Sequence, residues 1–131
     1  MADNLTDGAE ARFLNWLTGN TTTAPTLPLK LRLMTANGSD SAAGTEVANG
    51  GGSAYTPQTV AFSPASGTTT AVNSADVVFT NMPAATIVGV EIWDSAGTPF
   101  RWWWGAATAN KTTNLGDPLT VLAGALVLTG Q

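Results

Sequence analysis

The chain has 131 residues, a length that one domain explains, and carries a formal net charge of −4. Only 11% of its residues are charged, against about 25% in a typical soluble domain, so we expect a surface that packs against copies of itself or another protein; a threonine-rich secreted β-protein is the alternative. The five basic residues are scattered, which argues against a nucleic-acid or membrane partner. Cysteine and histidine are absent, which argues against cysteine or Ser-His-Asp nucleophiles and against the usual zinc sites.

The first predicted element is a helix over residues 3–18. Its apolar residues recur at spacings of three and four and share one face; they are Leu5, Ala9, Phe13, Trp16 and Leu17. Asn4 or Thr6 can cap the N-terminus, and Gly19 can end the helix. The face of Phe13 and Trp16 can pack on the protein's own sheet or dock onto a neighbouring subunit, and both interpretations stay open. The first residues lack the features of a signal peptide, so we expect synthesis in the host cytoplasm.

From residue 27 onward the hydrophobic period is two. Leu29, Leu31 and Leu33 alternate with Lys30 and Arg32, as in a strand with one buried face. A long Gly/Ser-rich loop follows over residues 36–53. Further strands are predicted over residues 54–63, 74–80, 86–94 and 119–128, the third continuing through a turn at residues 94–97 into a hairpin that ends at 104. The last run is one bent strand or two short ones around Gly124.

These elements predict an all-β fold. Several short strands with turn signals between them are typical of a β-sandwich with antiparallel sheets, Ig-like or jelly-roll-like, here preceded by one N-terminal α-helix. No helical segment separates the strands, which excludes a parallel α/β sheet. We therefore expect one domain over residues 1–131, with the sandwich occupying 27–131.

The most unusual feature is the run Trp102-Trp103-Trp104. Successive side chains of a strand point to opposite faces, so Trp102 and Trp104 share one face and Trp103 takes the other. The strand can be buried between sheet and helix, contact another subunit, or offer a ring on which a sugar stacks. The candidate interface residues are Phe13, Trp16, Trp102, Trp103 and Trp104.

No pattern of residues points to catalysis, a cofactor or a metal. The carboxylates are spread through loops and strand ends, and no motif singles out the facing pair that a glycosidase needs. Asp40 lacks the Asp/Asn spacing of an EF-hand, and residues 50–52 lack the Lys-Ser/Thr of a phosphate loop. We expect a protein without enzymatic activity, and we predict no catalytic, cofactor-binding or metal-binding residue.

Five stretches together resemble a family of small tailed-phage virion proteins that are labelled tail fibre or minor tail protein, with some members acting as capsid decoration (cement) proteins. They are residues 31–36 (LRLMTA), 44–55 (GTEVANGGGSAY), 73–79 (NSADVVF), 88–94 (VGVEIWD) and 114–126 (NLGDPLTVLAGAL). The resemblance covers nearly the whole chain. It implies a β-sandwich component of the virus particle without catalytic activity.

The first hypothesis that follows is a decoration protein on the outer capsid surface. Its partners would be the major capsid protein and copies of itself, as a homotrimer that stabilises contacts between capsomers. The second is a tail fibre or minor tail protein that attaches to the host surface, where a glycan would be the partner. A carbohydrate-active enzyme is the third. The first hypothesis predicts that replacing Trp103 or Trp16 with Ala weakens attachment to the particle while the free protein stays folded.

Overall fold

The computed structural model describes residues 4–20, 23–65, 67 and 69–129. Its helix and strands are, in chain order, β1 (Asn4–Leu5), α1 (Asp7–Leu17), β2 (Leu29–Ala36), β3 (Thr45–Glu46), β4 (Gln58–Val60), β5 (Thr70–Val72), β6 (Val77–Phe79), β7 (Ala85–Trp93), β8 (Arg101–Thr113), β9 (Leu119–Val121) and β10 (Val127–Thr129). No helix in these ranges is long and apolar enough to cross a membrane.

Helix α1 has well-defined caps at both ends. Thr6 is the N-cap: it is extended, and its Oγ1 accepts a hydrogen bond of 3.2 Å from Ala9 N. At the other end the N–H of Gly19 donates to Trp16 O and that of Asn20 to Asn15 O. This pair of bonds is the Schellman motif, and it requires the left-handed φ of +75° that Gly19 adopts. The helix starts later than the predicted residue 3 because residues 4 and 5 form β1, while residue 3 lies outside the described ranges.

The larger layer is an antiparallel sheet in the order β1-β8-β7-β2-β3, with β4 also paired to β2. Its register aligns Leu31 with Ile92 and Ile92 with Trp103, so these side chains share the inner face. The pairs β5–β10 and β6–β9 form two smaller antiparallel ladders. Their residues Phe79 and Leu119 join the same buried cluster as the inner face of the large sheet. The predicted all-β sandwich with one N-terminal helix is confirmed.

The structure differs from the predicted strands at three places. The loop over residues 36–53 contains β3, which pairs with the end of β2 and is followed by the buried Val47. Strand β8 continues past residue 104 to Thr113, and the unpredicted β5 pairs with β10. Of the two forms predicted for residues 119–128, the second is confirmed: they form two short strands, because the turn at Gly124, with φ +79°, sends β9 and β10 to different partners.

Candidate binding surface

The three consecutive tryptophans of β8 lie in different environments. Trp103 is only 2% exposed and belongs to the core, whereas Trp102 and Trp104 are half-buried. The ring of Trp103 lies over Gly105, the next residue on the same face, where a Cβ atom would collide with it. This is the alternation expected of a strand. Trp103 therefore contributes to the hydrophobic core. Its side chain is not exposed to contact a partner, as the sequence-based hypothesis had placed it.

The outer face of the large sheet carries a buried ion pair. Arg101 Nη1 lies 3.3 Å from Glu91 Oε1, and the two side chains are 9% and 1% exposed. Glu91 also accepts hydrogen bonds from Gly44 N at 2.8 Å and Trp93 Nε1 at 2.9 Å, while Arg101 Nη2 donates to Ser39 O at 2.6 Å. Charges removed from water need such additional partners. The pair thus fastens residues 38–44 over the sheet.

Asp94 organises the turn between β7 and β8. Its carboxylate accepts four hydrogen bonds, from the backbone N–H groups of Thr26, Ala96 and Phe100 and from the indole N–H of Trp102. Burial by itself would raise the pKa of Asp94, but these bonds outweigh it, so the pKa lies below its ordinary value. The carboxylate stays ionised and holds Phe100 and Trp102 beside α1.

Helix α1 leaves most of its apolar residues in water. Among its residues only Ala9 is buried, and the helix approaches the sheet where Gly8 faces the ring of Phe100. Four large apolar side chains are each more than half exposed; they are Phe13, Leu14, Trp16 and Leu17. We call these four residues the α1 apolar face. Phe13 and Trp16 contact each other with ring centroids 5.8 Å apart.

A cavity of about 300 Å³ opens between α1 and the segment over residues 23–25. Phe13 and Trp16 line it from the helix, and Trp102 lines it from β8. Arg12 contributes the charge: its guanidinium carbon lies 3.5 Å from the ring centroid of Phe100 and 5.2 Å from that of Trp102. The cavity therefore combines aromatic walls with one cation that is stacked on aromatic rings. We call it the Arg12 pocket.

The sequence matches the protein family described as Podophage GP4 fiber I protein gp80 over residues 4–129. The chain belongs to this family. A comparison with curated proteins finds no match. The resemblance to small phage virion proteins with a fibre or tail label is thereby confirmed. Membership identifies a virion-associated structural protein of the phage-fibre type.

The structure brings three of the five predicted interface residues together. Phe13, Trp16 and Trp102 line the Arg12 pocket. Trp104 does not line it, and its indole N–H donates to Asp40 Oδ1 at 2.8 Å. Trp103 lies in the core.

Two residues of this region were missed from the sequence, namely Arg12 and Phe100. Arg12 appears there as one of five scattered basic residues, and Phe100 follows a turn. The spacing of four between Gly8 and Arg12 could have indicated a shared helix face, but nothing in the sequence places that face against Phe100.

The described residues contain no group of three or more His, Cys, Asp and Glu side chains arranged to hold a metal ion. Asp40, the one residue considered for calcium, accepts the indole N–H of Trp104 through Oδ1. Its backbone oxygen accepts from Arg101 Nη2 and from Asp7 N. These bonds give Asp40 a structural role in fastening the loop to β8 and α1.

Proposed function

We propose that this protein is a non-enzymatic fibre component of a phage tail, and that the α1 apolar face attaches it to the particle. The observation that carries the proposal is the exposure of Phe13, Leu14, Trp16 and Leu17 on one short helix, Trp16 being 58% exposed. Contiguous exposed apolar patches mark sites of protein association. Tryptophan is also enriched among the residues that dominate binding energy.

The family description supports the tail, because it names a fibre of a podophage. The alternative is a decoration protein on the outer head surface, with the major capsid protein and two further copies of this chain as partners. Both use the same sandwich and the same helix, and in the decoration alternative many symmetric contacts on the head would add through avidity.

The environment of the two buried carboxylates supports a structural role without catalysis for them. Glu91 and Asp94 are buried, and each accepts several hydrogen bonds from groups that belong to the fold. A catalytic acid or base has to lie within hydrogen-bond distance of its substrate. Both side chains instead hold the β7–β8 turn and the loop over residues 38–44.

Copy number distinguishes the two locations. Quantitative mass spectrometry of purified particles would compare this protein with the major capsid protein. We expect a small number of copies per particle, as for a tail fibre. A ratio near one per capsid subunit, or a simple fraction of it, would contradict the tail assignment and place the protein on the head lattice.

Attachment can be tested on particles from which this protein has been removed genetically. We expect Trp16→Ala to weaken rebinding of purified protein by at least about tenfold, since a central tryptophan often contributes more than that factor to an interface. Leu122→Ala is a matched control, because Leu122 is equally exposed, at 61%, but lies between β9 and β10. Equal binding of both variants would refute attachment through α1.

A further inference from the structure

The Arg12 pocket contains a cation that the fold itself does not neutralise. Of the three arginines in the chain, Arg32 pairs with Glu46 at 3.6 Å and Arg101 pairs with Glu91 at 3.3 Å. Within the part of the chain that the structure describes, Arg12 has neither an ion-pair partner nor a hydrogen-bond acceptor; its contacts are the two aromatic rings. Its donor groups are therefore available to a ligand.

The rings also fix how Arg12 is presented. The guanidinium stacks on Phe100, and Phe100 meets Trp102 edge to face with centroids 5.0 Å apart. Trp102 is in turn held by its hydrogen bond to Asp94 at 3.1 Å. A stacked guanidinium offers its N–H edge in a planar fork, which matches the two oxygens of a carboxylate. Because the side chain is already ordered, less conformational entropy is lost on binding.

The remaining walls select an apolar group next to that anion. Phe13, Trp16 and Trp102 surround a space of about 300 Å³, at the lower end of the range for ligand pockets. We propose that the pocket takes a protein segment in which a large apolar side chain stands beside a carboxylate, with the carboxylate pairing with Arg12. This inference rests on the proposed attachment through α1 and names the chemistry of the virion protein that is bound there.

A glycan suits the pocket less well than a protein segment. Each sugar hydroxyl that leaves water needs a hydrogen-bond partner. Among the described residues, the side chains lining the pocket offer only the guanidinium of Arg12, the hydroxyl of Thr23 and the indole N–H of Trp16, since the indole N–H of Trp102 is donated to Asp94. Beside the pocket the α1 apolar face continues with Leu14 and Leu17, both more than half exposed. Aliphatic side chains of this kind are covered by the apolar surface of another protein.

The ligand chemistry can be tested with two small probes, N-acetyl-L-phenylalanine and its neutral amide. Titrations of the full chain would follow the indole N–H signals of Trp16 and Trp102 by NMR, with Trp103, which is buried in the core, as internal reference. We expect the acid to bind about tenfold more tightly than the amide. In Arg12→Met this preference should disappear, while Lys111→Met, which removes the same charge from an exposed position, should retain it.

Three results would overturn the inference. Equal affinity for acid and amide, or a preference that survives Arg12→Met, would remove Arg12 from the site. Tighter binding of a glucuronate disaccharide than of N-acetyl-L-phenylalanine at the same two indoles would assign the pocket to an acidic glycan. Arg12→Lys keeps the charge without the planar fork and should show an intermediate preference, so the test does not depend on the folding of one variant.

The particle-binding assay separates this inference from the proposed function. We expect Arg12→Met to weaken rebinding to the particle, as Trp16→Ala does. Normal rebinding of Arg12→Met together with loss for Trp16→Ala would refute the pocket chemistry and leave attachment through α1 intact. Normal rebinding of Trp16→Ala would refute both.

Discussion

Replacing Trp103 with Ala should strongly destabilise the fold, contrary to what an interface role predicts. Trp103 is 2% exposed, faces Ile92 across the ladder and covers Gly105. No backbone neighbour can fill the space that the indole leaves, so the loss includes both transfer free energy and a cavity. Truncation of a buried Trp costs about 3–5 kcal/mol. For a domain of this size that corresponds to a fall in Tm of roughly 10–20 °C.

The indole of Trp103 adds a second, finer expectation. Its Nε1 is buried and has no hydrogen-bond partner among the described residues, so Trp103→Phe removes none of the described hydrogen bonds. This variant should cost less than Trp103→Ala, about 1–2 kcal/mol. Trp16→Ala is the control, because an exposed side chain should change stability by less than about 0.5 kcal/mol.

Urea unfolding followed by far-UV circular dichroism measures all three variants without relying on tryptophan fluorescence. The expected order of unfolding free energies is wild type and Trp16→Ala together, then Trp103→Phe, then Trp103→Ala. A loss below about 1 kcal/mol for Trp103→Ala would show that the indole is not a core residue, and would return it to the list of candidate contacts.

Two further predictions concern buried polar groups. Asp94→Asn should lower the free energy of unfolding at pH 7 by about 1–2 kcal/mol through weaker hydrogen bonds. The folded-state pKa of Asp94 lies below its ordinary value, so the stabilisation is complete above the pKa of the unfolded state and is lost as the pH falls through the folded pKa. The difference in unfolding free energy between variant and wild type, measured by urea unfolding at several pH values, should therefore shrink below about pH 4. A constant difference would refute this role. Asn73→Ala removes three side-chain hydrogen bonds: two that Asn73 donates, to Ala75 O and Leu122 O, and one that it accepts from Leu126 N. The variant should lose about 2–4 kcal/mol of unfolding free energy, and its hydrogen exchange should accelerate relative to wild type more in β10 than in β7. An equal acceleration in both strands would contradict this role.

Local rules suffice for the parts of the fold that depend on neighbours in sequence. The caps of α1 follow from Thr6 and Gly19, each of which satisfies backbone groups within four residues of itself. The alternation of Leu29, Leu31 and Leu33 predicts β2 for the same reason, since the pleat places every second side chain on one face.

Long-range pairing limits what could be predicted elsewhere. Strand β5 has only three residues and is half-buried, so its pattern is too short to distinguish from a loop. It exists because β10, more than fifty residues later, supplies its hydrogen bonds. The two carboxylates Glu91 and Asp94 look alike in sequence, but only the fold gives one an arginine and the other four N–H donors.

The sequence by itself determined an all-β sandwich with one leading helix and a family of phage virion proteins, because hydrophobic periods, turn residues and family motifs are properties of the chain in order. Only the tertiary structure decided which tryptophans face water. The alternation of a strand predicts that Trp103 points to the opposite face of the sheet from Trp102 and Trp104. It does not predict which of the two faces β6 and β9 cover. The Arg12 pocket likewise depends on the tertiary structure, because Arg12 stacks on Phe100, a residue far away in sequence. No local sequence pattern predicts where a helix packs on a sheet.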